Sequence, residues 1–506
     1  MNTSHSYVMN LIERHLHTPG GSPEPVNLLY VRLYQALKSL ILQRNLPALW
    51  CLPGSRTLAE HLKISRSTVV RAYEMLEMEQ MITVRYGSGY RISAIERPAE
   101  PTENAESTRP ALGHLVSQRG LLYVKSYPFV HQSDHSDLAF RPGIPPVDIF
   151  PVGQWKNLLN NYWRYVKSST LNYTHPRGDE RLREKIRDFL QVSRGIACNK
   201  EQIIVVSGSV QSIYLLSHAF LDPSDTVLLE NPTFPNVIGI FLGAGAKVSG
   251  VECDEQGLLT SKLPQPDAAS RIKMVHVTPG CQYPLGMAMA MTRRRELIDW
   301  VHSSDALLIE NDYEHEISAR SGQMPTLYSL DTKGRTIYLG TFNRLLYPSI
   351  RLGFMVLPPE LVTAVEALQA HSHRFVSPYL QEVMQQFIDK NYLYAHLRNL
   401  AEVAAEREFL FREQCPLPEG WGALTRQAPS KGLHLCFSMN GKEDGRDAEK
   451  KMMARLSSAG ITAHALSQCY LPGTAARNGL ILGYSAVPPV AMREKFRVWK
   501  RQLSIR

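Results

Sequence analysis

Arg66, Ser67, Thr68 and Arg71 crowd into two helical turns' worth of chain, and their chemical reach is the clearest in the sequence. A guanidinium fork matches a phosphate or the paired acceptors on a guanine edge, and hydroxyls donate to or accept from either. That mixture suits a nucleic-acid surface. The seven cysteines point to no comparable chemistry: Cys51, Cys198, Cys253, Cys281, Cys415, Cys436 and Cys469 are scattered and form no Cys-x-x-Cys pair. An odd, dispersed set argues against a disulfide framework and a zinc site, and fits a reducing cytoplasm.

The polar cluster needs a rigid helix to present it. Leu28, Leu29, Leu33, Leu37, Leu40 and Ile41 recur at helical spacing and predict a first amphipathic helix. LPGSRTLAEHL (Leu52–Leu62) predicts a second with Ser55 as its N-cap, and SRSTVVRAYEMLEMEQ a third capped by Ser65. The tight connection at Lys63 and Ile64 makes the last two a helix-turn-helix, whose second helix enters the major groove. Val69, Val70, Tyr73 and Leu76 are then expected to face the core. ITVRYGSGYRIS reads as a β-hairpin turning at Gly87, Ser88 and Gly89 beside Arg85 and Arg91, which makes a wing.

Residues 26–93 resemble the DNA-binding domain of GntR-type regulators, through the SRTLAEHL block, the SRSTVVRAYEML block and the GSGY wing. The resemblance implies that Arg56, Ser65, Arg66, Thr68, Arg71, Gly87 and Gly89 contact double-stranded operator DNA, with Ser67 and Arg85 alongside them. Residues 1–24 end in HTPGGSPEP and read as a flexible arm, with at most a short helix over Ser6–His17. The run ERPAEPTENAESTRPA has too few large apolar residues to bury a core, so residues 94–135 read as a linker.

From about Phe140 onward, short apolar segments alternate with helical ones. Candidate strands are Ile203–Ser207, Thr226–Glu230, Lys247–Val251, Met274–Thr278, Ala306–Glu310, Ile337–Gly340 and Gly353–Leu357. This spacing implies βαβ units and a mostly parallel, buried sheet. The segment from about residue 380 to 506 reads as a smaller α+β lobe, so the fold class is α/β with an added winged helix-turn-helix.

Residues 140–506 resemble the fold type I, class I aminotransferases, as fused to GntR-type domains in MocR-type regulators. The blocks that carry this are LNYTHPRGDERLREKI, VVSGSVQSIYLL, LDPSDTVLLENPTFPN, VTPGCQYPLG, ALLIENDYEHEI and LGTFNRLLYPSIRLGFMVLP. The resemblance implies a pyridoxal phosphate pocket. Gly208, Ser209 and Val210, where a strand hands over to a helix, would offer backbone N–H groups to the phosphate, with Thr341 and Arg351 adding a hydroxyl and a cation. Phe234 aligns with the platform under the ring, Tyr313 with the donor to the phenolic oxygen, and Tyr173 with a tyrosine that reaches the neighbouring subunit's phosphate.

Two residues depart from that family's chemistry. Its Schiff-base lysine follows a GTFS motif, and here Gly340, Thr341, Phe342 and Asn343 lead to Arg344. A guanidinium stays protonated and offers no free amine to an aldehyde. Asn311 stands where the family places the carboxylate that pairs with the pyridinium nitrogen, so no charge keeps that nitrogen protonated. Ile481 in GLILGYS also replaces the arginine that binds a substrate carboxylate, while Lys333 and Lys431 are the nearest substitute amines. The expectation is therefore a domain that is no enzyme, with pyridoxal phosphate non-covalent at most and no metal.

At 506 residues, 44% apolar and 20% charged, the chain has the composition of a multidomain globular protein, and its formal charge of +9 permits nucleic-acid binding without requiring it. It has no run of about 18 apolar residues and no secretory start, which excludes a membrane partner and predicts a cytoplasmic protein. The leading reading is a homodimeric, DNA-binding transcription regulator with a degenerate sensor domain and an effector left open. The competing readings are a working aminotransferase carrying a DNA-binding domain, and a scaffold whose large domain only dimerises.

Overall fold

The structure is a computed structural model that describes residues 3–17, 28–43, 45–85, 89–93, 112–130, 139–265, 271–314, 324–417, 419–425, 432–439 and 445–504. The chain divides into two compact units, Met1–Leu112 and Gly113–Arg506.

The first unit is built from α1 (Thr3–His17), α2 (Leu29–Leu42), α3 (Ser55–Leu62), α4 (Arg66–Met78) and a hairpin of β1 (Ile82–Arg85) and β2 (Gly89–Ile92). One core joins them: Leu33, Leu37 and Leu40 of α2, Leu58 of α3, and Val69, Tyr73 and Leu76 of α4 are fully buried. Leu28 and Leu29, expected on the apolar stripe, lie outside it and are exposed. Val70 is only half-buried. The arm expected at residues 1–24 is corrected over Thr3–His17. Val8, Ile12 and Leu16 form an i, i+4, i+8 stripe buried in this core, and apolar burial outweighs the entropy of a free tail. Ser55 is the first residue of α3 rather than its cap, since Gly54 holds that place without a side-chain bond. Lys63 turns the chain in the left-handed region at φ 52°.

The second unit opens with α5 (Gln118–Val130), within the stretch expected to be linker. Two glycines one helical turn apart explain it. A Cβ on Gly239 would lie 2.7 Å from Val130 Cγ2, and one on Gly243 would lie 2.9 Å from the Tyr123 ring, so their bare backbone forms a groove for this helix. These glycines sit on α9 (Pro235–Gly243), which with α6 (Val152–Tyr165), α7 (Glu180–Arg194), α8 (Ser209–Phe220) and α10 (Met291–Ser303) accompanies the main sheet.

That sheet has eight strands in the order β3-β10-β9-β8-β7-β4-β5-β6. They are β3 (Ile203–Val206), β4 (Thr226–Asn231), β5 (Lys247–Asp254), β6 (Gly257–Leu258), β7 (Ile272–Val277), β8 (Leu307–Asn311), β9 (Thr336–Thr341) and β10 (Gly353–Val356). Strands β9, β8, β7, β4 and β5 run parallel, while β10 is antiparallel to both β3 and β9. All four residues of β3 are buried, as a strand covered on both faces requires. The C-terminal lobe is an antiparallel sheet, β11 (Trp421–Ala423), β12 (His434–Met439), β14 (Gly479–Gly483) and β13 (His464–Ala465), with helices Tyr392–Gln414, Gly445–Ser458 and Pro489–Ser504.

Candidate functional site: a DNA-binding face and an altered cofactor pocket

In the first unit, α4 carries the polar cluster. The Ser65 hydroxyl accepts from Thr68 N at 3.2 Å and so caps the helix, and it lies 2.7 Å from Thr68 Oγ1 and 2.9 Å from Ser67 Oγ. Arg66 Nε donates to Ser55 Oγ at 3.3 Å, which ties α4 to α3. Arg56, Ser65, Arg66, Ser67 and Arg71 are exposed, and Thr68 is half-buried. Among the described residues none of the three arginines pairs with a carboxylate. A helix N-terminus with free guanidinium groups around it is an anion-binding arrangement. Sequence reasoning missed Tyr30, over whose ring the Arg71 guanidinium stacks at 5.1 Å; an aromatic in the first turn of α2 was the available signal. Gly89 starts β2 at φ 80°, where a side chain would be strained. Arg85 ends β1, and Gly87 lies outside the described residues.

In the second unit, the C-terminal edge of the sheet gathers most of the proposed pocket. Gly208, at φ 125°, caps α8, and a Cβ there would lie 3.8 Å from Thr341 Oγ1 and 2.5 Å from Asn343 Nδ2. Gly353, two residues after Arg351, pairs with both Val206 and Thr341, so Ser209, Val210, Thr341 and Arg351 share one corner. Arg351 is exposed and, among the described residues, has no carboxylate partner. Asn343 was also missed: its amide donates to Ser207 O at 3.3 Å and accepts from Leu352 N at 2.9 Å, bracing this corner.

Phe234 meets Tyr313 edge-on, with ring centroids 5.0 Å apart. One face of Phe234 is covered by Tyr283, stacked at 3.8 Å with planes 7° apart, which leaves a single face for any ligand ring. Asn311 ends β8, and its Nδ2 lies 3.3 Å from His276 Nε2. Burial lowers the pKa of His276 to about 4, so this neighbour is neutral and supplies no charge. Strand alternation turns Asp312 the other way, onto buried Arg194 at 2.5 Å and the Tyr338 hydroxyl at 2.9 Å. Asn311 Oδ1 is buried without a hydrogen-bond partner among the described residues, and the Tyr313 hydroxyl is buried beside the Cys281 thiol.

Arg344, which the sequence resemblance aligns with the lysine, does not stand free as an anion receptor. Nη1 lies 3.3 Å from Glu314 Oε1, and Cζ sits 5.6 Å from the Tyr313 ring centroid and 6.0 Å from that of Phe234. Glu314 is fully buried, and that burial raises its pKa against the opposing pull of Arg344. Ile481 is buried among Cys281, Tyr283, Tyr313, Cys436, Leu466 and Cys469, an apolar filling where a substrate carboxylate would need a cation. Burial pushes the Cys281 thiol well up, so it is no reactive nucleophile. Lys333 precedes β9 while Arg344 follows it, which puts it a six-residue strand away, roughly 20 Å. Lys431 lies outside the described residues. Tyr173 is exposed and touches Phe375 and Arg374 rather than the other pocket residues.

A donor set of Gly208–Val210, Thr341, Arg351 and Phe234 suits a phosphate and a flat ring. Asn311 and Arg344, at the positions that the sequence resemblance assigns to the ring-nitrogen carboxylate and the Schiff-base amine, offer neither a carboxylate nor a primary amine.

Comparison with known proteins agrees with both halves. Residues 29–92 match the gntR family of bacterial regulatory proteins, and residues 150–456 match aminotransferase class I and II. A probable rhizopine catabolism regulatory protein, MocR, of Rhizobium meliloti is 31% identical over 92% of this chain and 91% of its own. The HTH-type transcriptional regulator TauR of Rhodobacter capsulatus is 27% identical over 96% of this chain and 97% of its own. The solved kynurenine aminotransferase of Pyrococcus horikoshii superposes with a TM-score of 0.67 at 23% identity, covering 78% of this chain and 98% of that one, which shows the fold. No helix among the described residues is long and apolar enough to cross a membrane. The chain belongs to the MocR-type transcription regulators, a gntR-family helix-turn-helix joined to an aminotransferase class I and II domain.

Proposed function

We propose that this regulator is a cytoplasmic homodimer that grips two operator half-sites through α4 and the wing, and that its aminotransferase-like domain performs no catalysis. Arg56, Ser65, Arg66, Ser67, Thr68, Arg71, Arg85, Gly87 and Gly89 form the DNA contact, with Arg66 and Arg71 the main cations. Tyr173, exposed on its own subunit, would extend toward the partner's pocket.

The observation that carries the non-catalytic reading is the Arg344–Glu314 pair, because it puts a permanently protonated, internally neutralised group where an aldehyde-capturing amine belongs. Any pyridoxal phosphate taken up is held non-covalently, by its phosphate at Gly208, Ser209, Val210, Thr341 and Arg351 and with its ring against Phe234. The test is an absorption spectrum with added pyridoxal phosphate, followed by borohydride reduction and mass spectrometry. The expected result is no aldimine band, no reduced adduct and no amino-group transfer. A reducible adduct on any lysine overturns the reading and favours the aminotransferase alternative.

A further inference from the structure

The Arg344–Glu314 pair is placed between parts of the second unit that are far apart in sequence. Arg344 follows β9 and Glu314 follows β8, so both sit just past the ends of strands of the large sheet. The second carboxylate oxygen, Glu314 Oε2, accepts from Leu433 N at 2.9 Å, and Leu433 adjoins β12 of the C-terminal lobe. The Arg344 guanidinium also lies against Gly143, where a Cβ would come within 1.2 Å of Nη1. Gly143 belongs to a segment held by that same lobe: Thr462 N donates to Ala139 O at 2.9 Å, Gly483 N to Phe140 O at 2.7 Å, and Ser485 Oγ to Ile144 O at 2.5 Å. A Cβ on Gly432 would likewise fall 2.6 Å from Glu314 Oε2. Two glycines of the C-terminal side thus leave room for the pair, and a main-chain amide of that side is bonded to it.

A buried carboxylate with one oxygen on a guanidinium and the other on an amide is satisfied only while both sides stay together. Removing Arg344 strands the fully buried Glu314 charge, whereas removing Glu314 leaves a partly exposed guanidinium without its partner. We propose that the Arg344–Glu314 pair serves as a built-in ligand at this seam, holding the C-terminal lobe against the large sheet without any small molecule. Operator affinity is then independent of pyridoxal phosphate, pyridoxamine phosphate and amino acids. This rests on the regulator reading and narrows it from a sensor to a regulator that needs no cofactor.

The experiment uses the full-length protein and a duplex it enriches from a random-sequence library. Millimolar pyridoxal phosphate, pyridoxamine phosphate or mixed amino acids should change operator affinity by less than about twofold, where an allosteric effector shifts it about 5–150-fold. Saturable binding of any of these with a larger shift overturns the proposal. Failure to enrich any duplex would instead sink the regulator reading. The second arm, hydrogen exchange, then decides independently. In E314Q and R344M the Leu433 amide should exchange at least tenfold faster, on the order of a local opening, while the β3 amides keep their protection. Unchanged protection of Leu433 in both variants overturns the tie. If neither variant folds, the wild-type titration decides alone.

Discussion

The arginines on α3 and α4 are treated in the opposite way to Arg194 and Arg344 of the second unit, while Arg351 of the second unit stays exposed like those of α3 and α4. On α3 and α4, Arg56, Arg66 and Arg71 are exposed and, among the described residues, none meets a carboxylate. In the second unit Arg344 is taken up by Glu314 and Arg194 by Asp312, the latter pair fully buried. A cation left in water keeps its charge available to a polyanion, whereas a buried pair is close to neutral overall and acts on a further charge of either sign only weakly. One unit is therefore arranged to meet an external anion. The core of the other has the architecture of a ligand pocket whose most reactive position is already matched from within.

The sharpest way to break this comparison is at α4. Arg66→Ala should weaken specific operator binding by roughly two orders of magnitude with the helical signature unchanged, since a bidentate base contact and a phosphate contact are both open to it. A mobility shift near physiological salt checks this, and undiminished specific binding would show that α4 is not the recognition helix. Wild-type affinity should also fall steeply with added salt as counterions are released.

Next in size is a change on α9. Gly243→Leu fills the groove that seats α5, because even a Cβ there lies 2.9 Å from the Tyr123 ring. Limited proteolysis of the wild type should cut within residues 94–111 and spare Gln118–Val130, while the variant should be cut in both. Equal resistance of that helix in the two proteins would mean it does not depend on the groove.

A smaller effect is expected at Tyr30. Tyr30→Ala removes the platform that orients the Arg71 guanidinium and should weaken operator binding about fivefold, within the range of an exposed cation–π contact, with Tyr30→Phe close to wild type. Identical loss in both variants would assign the effect to the hydroxyl.

The mildest test asks whether the buried carboxylates of the second unit behave as interior groups. Burial raises the pKa of Glu230 to about 7, against the hydrogen bonds from Thr278. A carboxyl with a folded pKa above its unfolded value stabilises most below the unfolded pKa, near 4.5, and loses that contribution as pH rises through about 7. Glu230→Gln lacks this dependence, so its thermal stability relative to wild type should improve between pH 5 and pH 8, by on the order of 1–3 kcal/mol. A constant difference across that range would show that Glu230 titrates as an exposed group does.

Much of this organisation is legible in the sequence, for definite reasons. Six of the seven strand segments of the large domain are mostly buried, largely apolar runs between turn residues, as a strand covered on both faces requires, whereas β5 (Lys247–Asp254) is largely exposed. The α3–α4 turn and its Ser65 cap are local, and so is the absence of an amine at position 344, which no packing can restore. What tertiary structure alone decided is everything that depends on a distant partner. Residues 3–17 and 118–130 read as tail and linker because they adjoin polar, proline-rich runs, although both carry apolar side chains, and only the core of the first unit and the Gly239–Gly243 groove show what those side chains bury against. Glu314 reads as one more acidic residue after Tyr313. Its burial against Arg344, 30 residues on, and against Gly432 and Leu433, more than a hundred residues on, follows from folding those segments together, because the energy of a charge depends on what surrounds it in space rather than in sequence.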